Sequence, residues 1–89
     1  MIKATLKNGF EVEISEDRLD DYDLLEDMAA LDDGNVSAIP ALYARILGAE
    51  QYEALKAHLR MKEGMVRITS MEETMAEIFQ LNNGRVKNS

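Results

Sequence analysis

Apolar and polar residues alternate with a period of two in two runs near the N-terminus. Ile2, Ala4 and Leu6 alternate with Lys3, Thr5 and Lys7. Phe10, Val12 and Ile14 alternate with Glu11, Glu13 and Ser15. Such alternation marks half-buried strands, so the opening predicts a β-hairpin. Asn8-Gly9 suits a two-residue turn, but that turn would pair Lys7 with Phe10 and carry charge onto the apolar face. A three-residue loop, Lys7-Asn8-Gly9, keeps the parity. It pairs Leu6 with Phe10, Ala4 with Val12 and Ile2 with Ile14, and it sets Lys3 against Glu13. Gly9, which has no Cβ, fits the left-handed position that closes such a loop. A lone hairpin is not stable in water, so its apolar face must rest on helices.

From there the period changes to that of a helix. Leu24, Leu25, Met28 and Leu31 predict a helix over residues 20–32, with Asp20, Asp21 and Asp23 at the end where the macrodipole favours negative charge. Gly34 is placed to end it. Asn35 or Ser37 can cap the next helix, in which Pro40 is tolerated only within the first turn. Ile39, Leu42, Tyr43, Ile46 and Leu47 form the cleanest amphipathic stripe of the chain. Gly48 stops it, and a third helix follows over residues 49–61 with Tyr52, Leu55 and Leu59 inward. Gly64 ends that region. The alternation of Val66 and Ile68 leaves room for a short third strand over residues 65–69. Ser70 and Glu73 match a capping box, opening a fourth helix that carries Met71, Met75, Ile78 and Phe79 and ends before Gly84. The fold class expected is α+β, a hairpin packed on about four helices.

The chain has 89 residues, a length that fits one domain. That domain is expected over residues 1–84, with a polar tail at 85–89 that frays. The absence of cysteine removes disulfides and thiolate chemistry, and a single histidine, His58, removes histidine metal clusters. The net charge of −7 argues against binding a phosphate backbone or an anionic lipid surface. No run is long and apolar enough to span a membrane, and no signal-peptide core opens the chain. A cytoplasmic protein is therefore expected.

The charge is uneven. Between Glu11 and Asp33 there are eleven acidic residues and one base, Arg18, while the rest holds six acids and nine bases. Asp17, Asp20, Asp21 and Asp23 are hard oxygen donors, but no stretch has the spacing of a calcium-binding loop. A solvated acidic face is the simpler reading. His58 has no acid three or four residues away on its helix to orient it for acid–base work. The five glycines stand singly and form no phosphate loop. No catalytic residue, cofactor or metal is expected.

Four of the six methionines, Met61, Met65, Met71 and Met75, fall within 15 residues. Methionine adapts to varied apolar partners. Met71 and Met75 would serve as core beside Ile78 and Phe79. If an edge of the stripe is exposed, Met65, Met71, Met75 and Phe79 are the candidate partner-binding residues.

Three blocks in order carry a family resemblance. The first is the hairpin with Leu6-Lys7-Asn8-Gly9, followed by Asp20-Asp21-Tyr22-Asp23-Leu24-Leu25-Glu26. The second is Gly48-Ala49-Glu50-Gln51-Tyr52-Glu53-Ala54-Leu55-Lys56-Ala57-His58-Leu59-Arg60. The third is Gly64-Met65-Val66-Arg67-Ile68, ahead of the last helix. Over residues 2–79 the chain resembles the small tail assembly chaperones of long-tailed phages and prophages of Gram-positive bacteria. The resemblance implies a non-enzymatic protein that binds the helical tape measure protein, keeps it soluble and helps to recruit tail-tube subunits. It also implies absence from the finished particle. None of these blocks is catalytic.

An exposed apolar helical surface is an aggregation hazard, and a partner that covers it needs an apolar patch ringed by solvating charge. The chain has both ingredients. Two other readings fit the composition: an acidic inhibitor or antitoxin-like protein that imitates nucleic acid, and a minor structural subunit of a phage particle. Self-association is left open.

Overall fold

A computed structural model describes the backbone of residues 1–87 and the side chains of residues 1–81. The hairpin is formed by β1 (Ile2–Thr5) and β2 (Glu11–Ile14), antiparallel, with Ile2 opposite Ile14, Lys3 opposite Glu13 and Ala4 opposite Val12. This is the register that a three-residue loop dictates. The loop is closed by Leu6 N–H donating to the Phe10 carbonyl at 2.8 Å and Gly9 N–H to the Leu6 carbonyl at 2.9 Å. Gly9 is left-handed at φ 92°, and the Asn8 side chain accepts from Phe10 N–H at 2.8 Å, a local turn that asparagine favours. Ile2, Leu6, Val12 and Ile14 are all buried on one face.

Four helices pack against that face. A single-turn helix, α1 (Glu16–Leu19), was not foreseen from the pattern; it precedes α2 (Tyr22–Asp32). Asp21 caps α2 by accepting from Asp23 N–H at 2.9 Å. At the other end Gly34 N–H donates to the Leu31 carbonyl and Asn35 N–H to that of Ala30, the paired bonds of a Schellman motif. Leu24 is buried, and Met28 and Leu31 pack beside it. Leu25, expected inward, points to solvent.

A 3₁₀ turn over Val36–Ala38, capped by Asn35, leads into α3 (Ile39–Glu63), which is broken at Gly48. Pro40 sits in its first turn, where the missing N–H costs nothing. Ile39, Leu42, Tyr43, Ile46 and Leu47 are buried before the break, and Leu55 and Leu59 after it. Gly48 has φ 80° and ψ 162°. In an unbroken helix Tyr43 and Tyr52 would stand roughly 13 Å apart along the axis. Here their rings stack at 5.4 Å with an interplanar angle of 3°. The break therefore turns the two halves toward each other.

Gly64, left-handed at φ 82°, caps α3 with its N–H on the Arg60 carbonyl. α4 runs over Ile68–Lys87, and three features differ from expectation. Among the described residues there is no third strand. Only Met65, Val66 and Arg67 separate the Gly64 cap from α4; Val66 packs on the core, while Ile68 already begins the helix and faces water. The capping box at Ser70 does not form, because α4 starts two residues earlier. Ser70 Oγ instead donates to the Glu63 carboxylate at 3.0 Å, tying α3 to α4. Finally, α4 does not stop at Gly84. A single glycine costs a helix only about 1 kcal/mol, and the backbone continues helical to Lys87. Of the tail expected to fray, Asn88 and Ser89 lie outside the described residues.

Candidate functional site

The methionines divide between the core and the surface. Met71 and Met75 are buried, Met75 with 1% of its surface exposed, packed with Ile78. Phe79 is half-buried against the same core. Met65 is exposed, as is its neighbour Met61, at 89%. Ile68 is 70% exposed. So of the four residues proposed from sequence to meet a partner, Met65 is freely presented and Phe79 partly so. Met71 and Met75 are occupied by the core, because positions three and four apart on α4 face the hairpin and α3 together. Sequence reasoning did not single out Ile68 for a partner; its reading as a strand residue concealed its position in the first turn of a helix.

Met61, Met65 and Ile68 surround the turn between α3 and α4. Arg60, Lys62 and Arg67 are exposed in the same stretch. Arg67 makes a long contact, 3.6 Å, with Glu63. The turn thus combines apolar side chains with positive charge, in a chain whose net charge is negative.

Beside it lies a half-open groove of about 570 Å³ between the hairpin loop, the end of α3 and α4. Its wall alternates charge: Lys7 and Lys62 against Glu63, Glu73 and Glu77. Most of the hydrogen bonds here pin the loop. Lys7 N–H donates to the Glu77 carboxylate at 3.0 Å. The Asn8 carbonyl accepts from Lys62 Nζ at 3.0 Å and lies 2.8 Å from His58 Nε2. An acceptor at that position requires the proton on Nε2, so His58 donates. Its ring also sits 5.7 Å from that of Phe10. His58 is a half-buried brace for the hairpin loop.

Three aspartates of the acidic segment gather on one arginine. Arg45 donates to Asp27 at 2.7 Å and lies 3.6 Å from both Asp21 and Asp23. The Asp27 hydrogen bond, with the charges of Asp23 and Asp21, raises the Arg45 pKa above its ordinary value. Arg18, the lone base of the segment, donates to the Arg45 carbonyl at 3.1 Å. That carbonyl is one of those released where α3 breaks, and a guanidinium there also complements the negative end of the preceding helix. Among the described residues no group of three His, Asp or Glu side chains is arranged to hold a metal ion, and no helix is long and apolar enough to cross a membrane.

Fold and surface together define a small hairpin-and-helix domain with an apolar, positively charged turn at one end and a carboxylate-rich helix at another. No family model, curated protein or solved structure matches this chain.

Proposed function

We propose that this protein is a tail assembly chaperone of a long-tailed phage or prophage of Gram-positive bacteria. It binds the tape measure protein in the host cytoplasm, covers its apolar helical surface, supports recruitment of tail-tube subunits, and leaves before the particle is complete. It performs no chemistry on its partner. The observation that carries the reading is the exposed apolar set Met61, Met65 and Ile68 at the α3–α4 turn, within and beside two of the sequence blocks that resemble such chaperones. Unbranched methionines accept varied apolar surfaces, and the surrounding charge keeps a complex dispersed.

Co-expression with the tape measure protein encoded beside it tests the reading. The partner should move from the insoluble to the soluble fraction and co-purify with this chain. Replacing Met61, Met65 and Ile68 together by serine should abolish that effect while leaving the thermal unfolding midpoint nearly unchanged. An insoluble partner, or full rescue by the triple serine variant, overturns it. Purified particles should lack the protein.

A further inference from the structure

A second exposed apolar surface lies on α2, separate from the α3–α4 turn and unused by the function proposed above. Tyr22, Leu25 and Ala29 follow one another at three and four residues and form a single stripe. Tyr22 is 73% exposed and Leu25 56%, and Ala29 is exposed as well. At about 100° per residue the stripe faces away from Leu24 and Leu31, which hold α2 to the core.

The same turn angle places Glu26 and Asp33 along one border of the stripe and Asp32 along the other. All three are exposed. Among the described residues none of them has a cation within ion-pair distance, nor do Asp17 and Asp20 just before the helix. The carboxylates nearer α3, Asp21, Asp23 and Asp27, are by contrast gathered on Arg45. The inner carboxylates of α2 share one guanidinium, and the outer ones have none.

Uncompensated negative charge flanking an apolar stripe specifies what would cover it. We infer that α2 docks an amphipathic helix whose apolar stripe is bordered by lysine or arginine. The apolar contact supplies affinity, while the carboxylates select the partner's charge and fix its orientation. A helix bordered by acids would meet like charge on both sides and is rejected. With eleven residues, α2 offers a contact roughly 16 Å long, about three turns of the partner helix.

The test uses the full chain and two synthetic helical peptides about five turns long. Both carry the same leucine stripe; one is bordered by lysine and the other by glutamate. Binding is followed by fluorescence anisotropy and mapped by amide chemical shifts. The lysine-bordered peptide should bind at least about tenfold more tightly than the other, weaken with added salt, and shift the amides of α2. The variant Tyr22→Ser with Leu25→Ser keeps every charge and should lose at least about tenfold in affinity. The variant Glu26→Gln, Asp32→Asn, Asp33→Asn keeps the apolar stripe and should lose the preference between the peptides. Equal binding by the serine variant, equal affinity for both peptides, or shifts confined to other elements overturns the inference. Circular dichroism confirms that the variants fold. The tape measure experiment reads the α3–α4 turn, so the two proposals fail separately.

Discussion

The side-chain amide of Gln51 engages both backbone groups of Glu13. Glu13 N–H donates to Oε1 at 2.8 Å, and Nε2 donates to the Glu13 carbonyl at 2.7 Å. Leu6 and Phe10 form a hydrogen-bonded pair, so by alternation Lys3 and Glu13 form a non-bonded one. The Glu13 groups therefore point out of the hairpin, along the free edge of β2. Gln51 stands where another strand would pair. Its Nε2 also donates to the Leu47 carbonyl at 2.9 Å, beside the break in α3.

Gln51→Ala should lower the unfolding free energy by about 1–2 kcal/mol, through loss of these bonds. Gln51→Glu should cost more at neutral pH. A carboxylate only accepts, and it would face two carbonyl oxygens with no proton to share. Urea unfolding of the two variants decides the matter; a glutamate variant as stable as the alanine one contradicts this account.

Gly48 and Gly64 both have positive φ, but they should respond differently to alanine. Gly48, at φ 80° and ψ 162°, occupies a region that is essentially restricted to glycine, at a cost of about 1–3 kcal/mol for other residues. A Cβ there would also lie 3.1 Å from Arg18 Nη2. Gly64 sits in the ordinary left-handed region, with nothing within 4 Å of a Cβ, and alanine should cost about 1 kcal/mol. Gly48→Ala should also displace the Arg18 guanidinium from the Arg45 carbonyl. Arg18→Ala should then cost less in the Gly48→Ala background than in the parent chain. Additive effects in that cycle would show that Arg18 does not brace the break.

The parts of the fold legible in the sequence are those in which one periodic signal had one structural solution. The hairpin register followed from parity, since the two-residue turn that Asn8-Gly9 suits would move Lys7 onto the apolar face. The stripe from Ile39 to Leu47 and its interruption at Gly48 followed from helical spacing and from the one residue without a Cβ. The α3–α4 connection was misread because Val66 and Ile68, two residues apart, satisfy a strand period as readily as a cap contact followed by a helix start. Ser70 has the sequence context of a cap, yet its hydroxyl found the Glu63 carboxylate across the turn. Nor did the sequence reveal that Leu25 faces water, because Leu24 and Leu25 compete for one inward position. The tasks of Gln51 and Arg18 depend on where the break in α3 meets the hairpin and α1, and no local pattern encodes that meeting.

The two pairs of methionines should separate by stability. Met71→Ala and Met75→Ala each remove a side chain that fills the core, and each should cost about 2–5 kcal/mol. Met61→Ala and Met65→Ala alter exposed positions and should stay within about 0.5 kcal/mol of the parent chain. If the exposed pair proved as costly as the buried pair, that turn would be packed in solution and closed to a partner.

Alkaline pH should expose the role of Tyr43. Its ring is fully buried, and its hydroxyl donates to the Met71 carbonyl, joining α3 to α4. Burial raises its pKa well above the ordinary value of 10.0, with a smaller rise from Tyr52 and a partial offset from the Thr74 hydrogen bond. The folded state therefore favours the neutral phenol more than the unfolded chain does. Below the unfolded pKa both states are protonated and the contribution is fully present. Above it the unfolded chain releases a proton that the folded chain keeps, and stability falls by up to about 1.4 kcal/mol per pH unit until the folded pKa is reached. Tyr43→Phe should cost about 1 kcal/mol at neutral pH, from loss of the hydrogen bond to the Met71 carbonyl. That variant should lose less stability than the parent between about pH 10 and about pH 11.5, where only the parent has a Tyr43 proton to release on unfolding. Urea midpoints for both chains across that interval measure the difference. Equal losses would mean that the Tyr43 hydroxyl already reaches water in the folded state, which its place between α3 and α4 forbids.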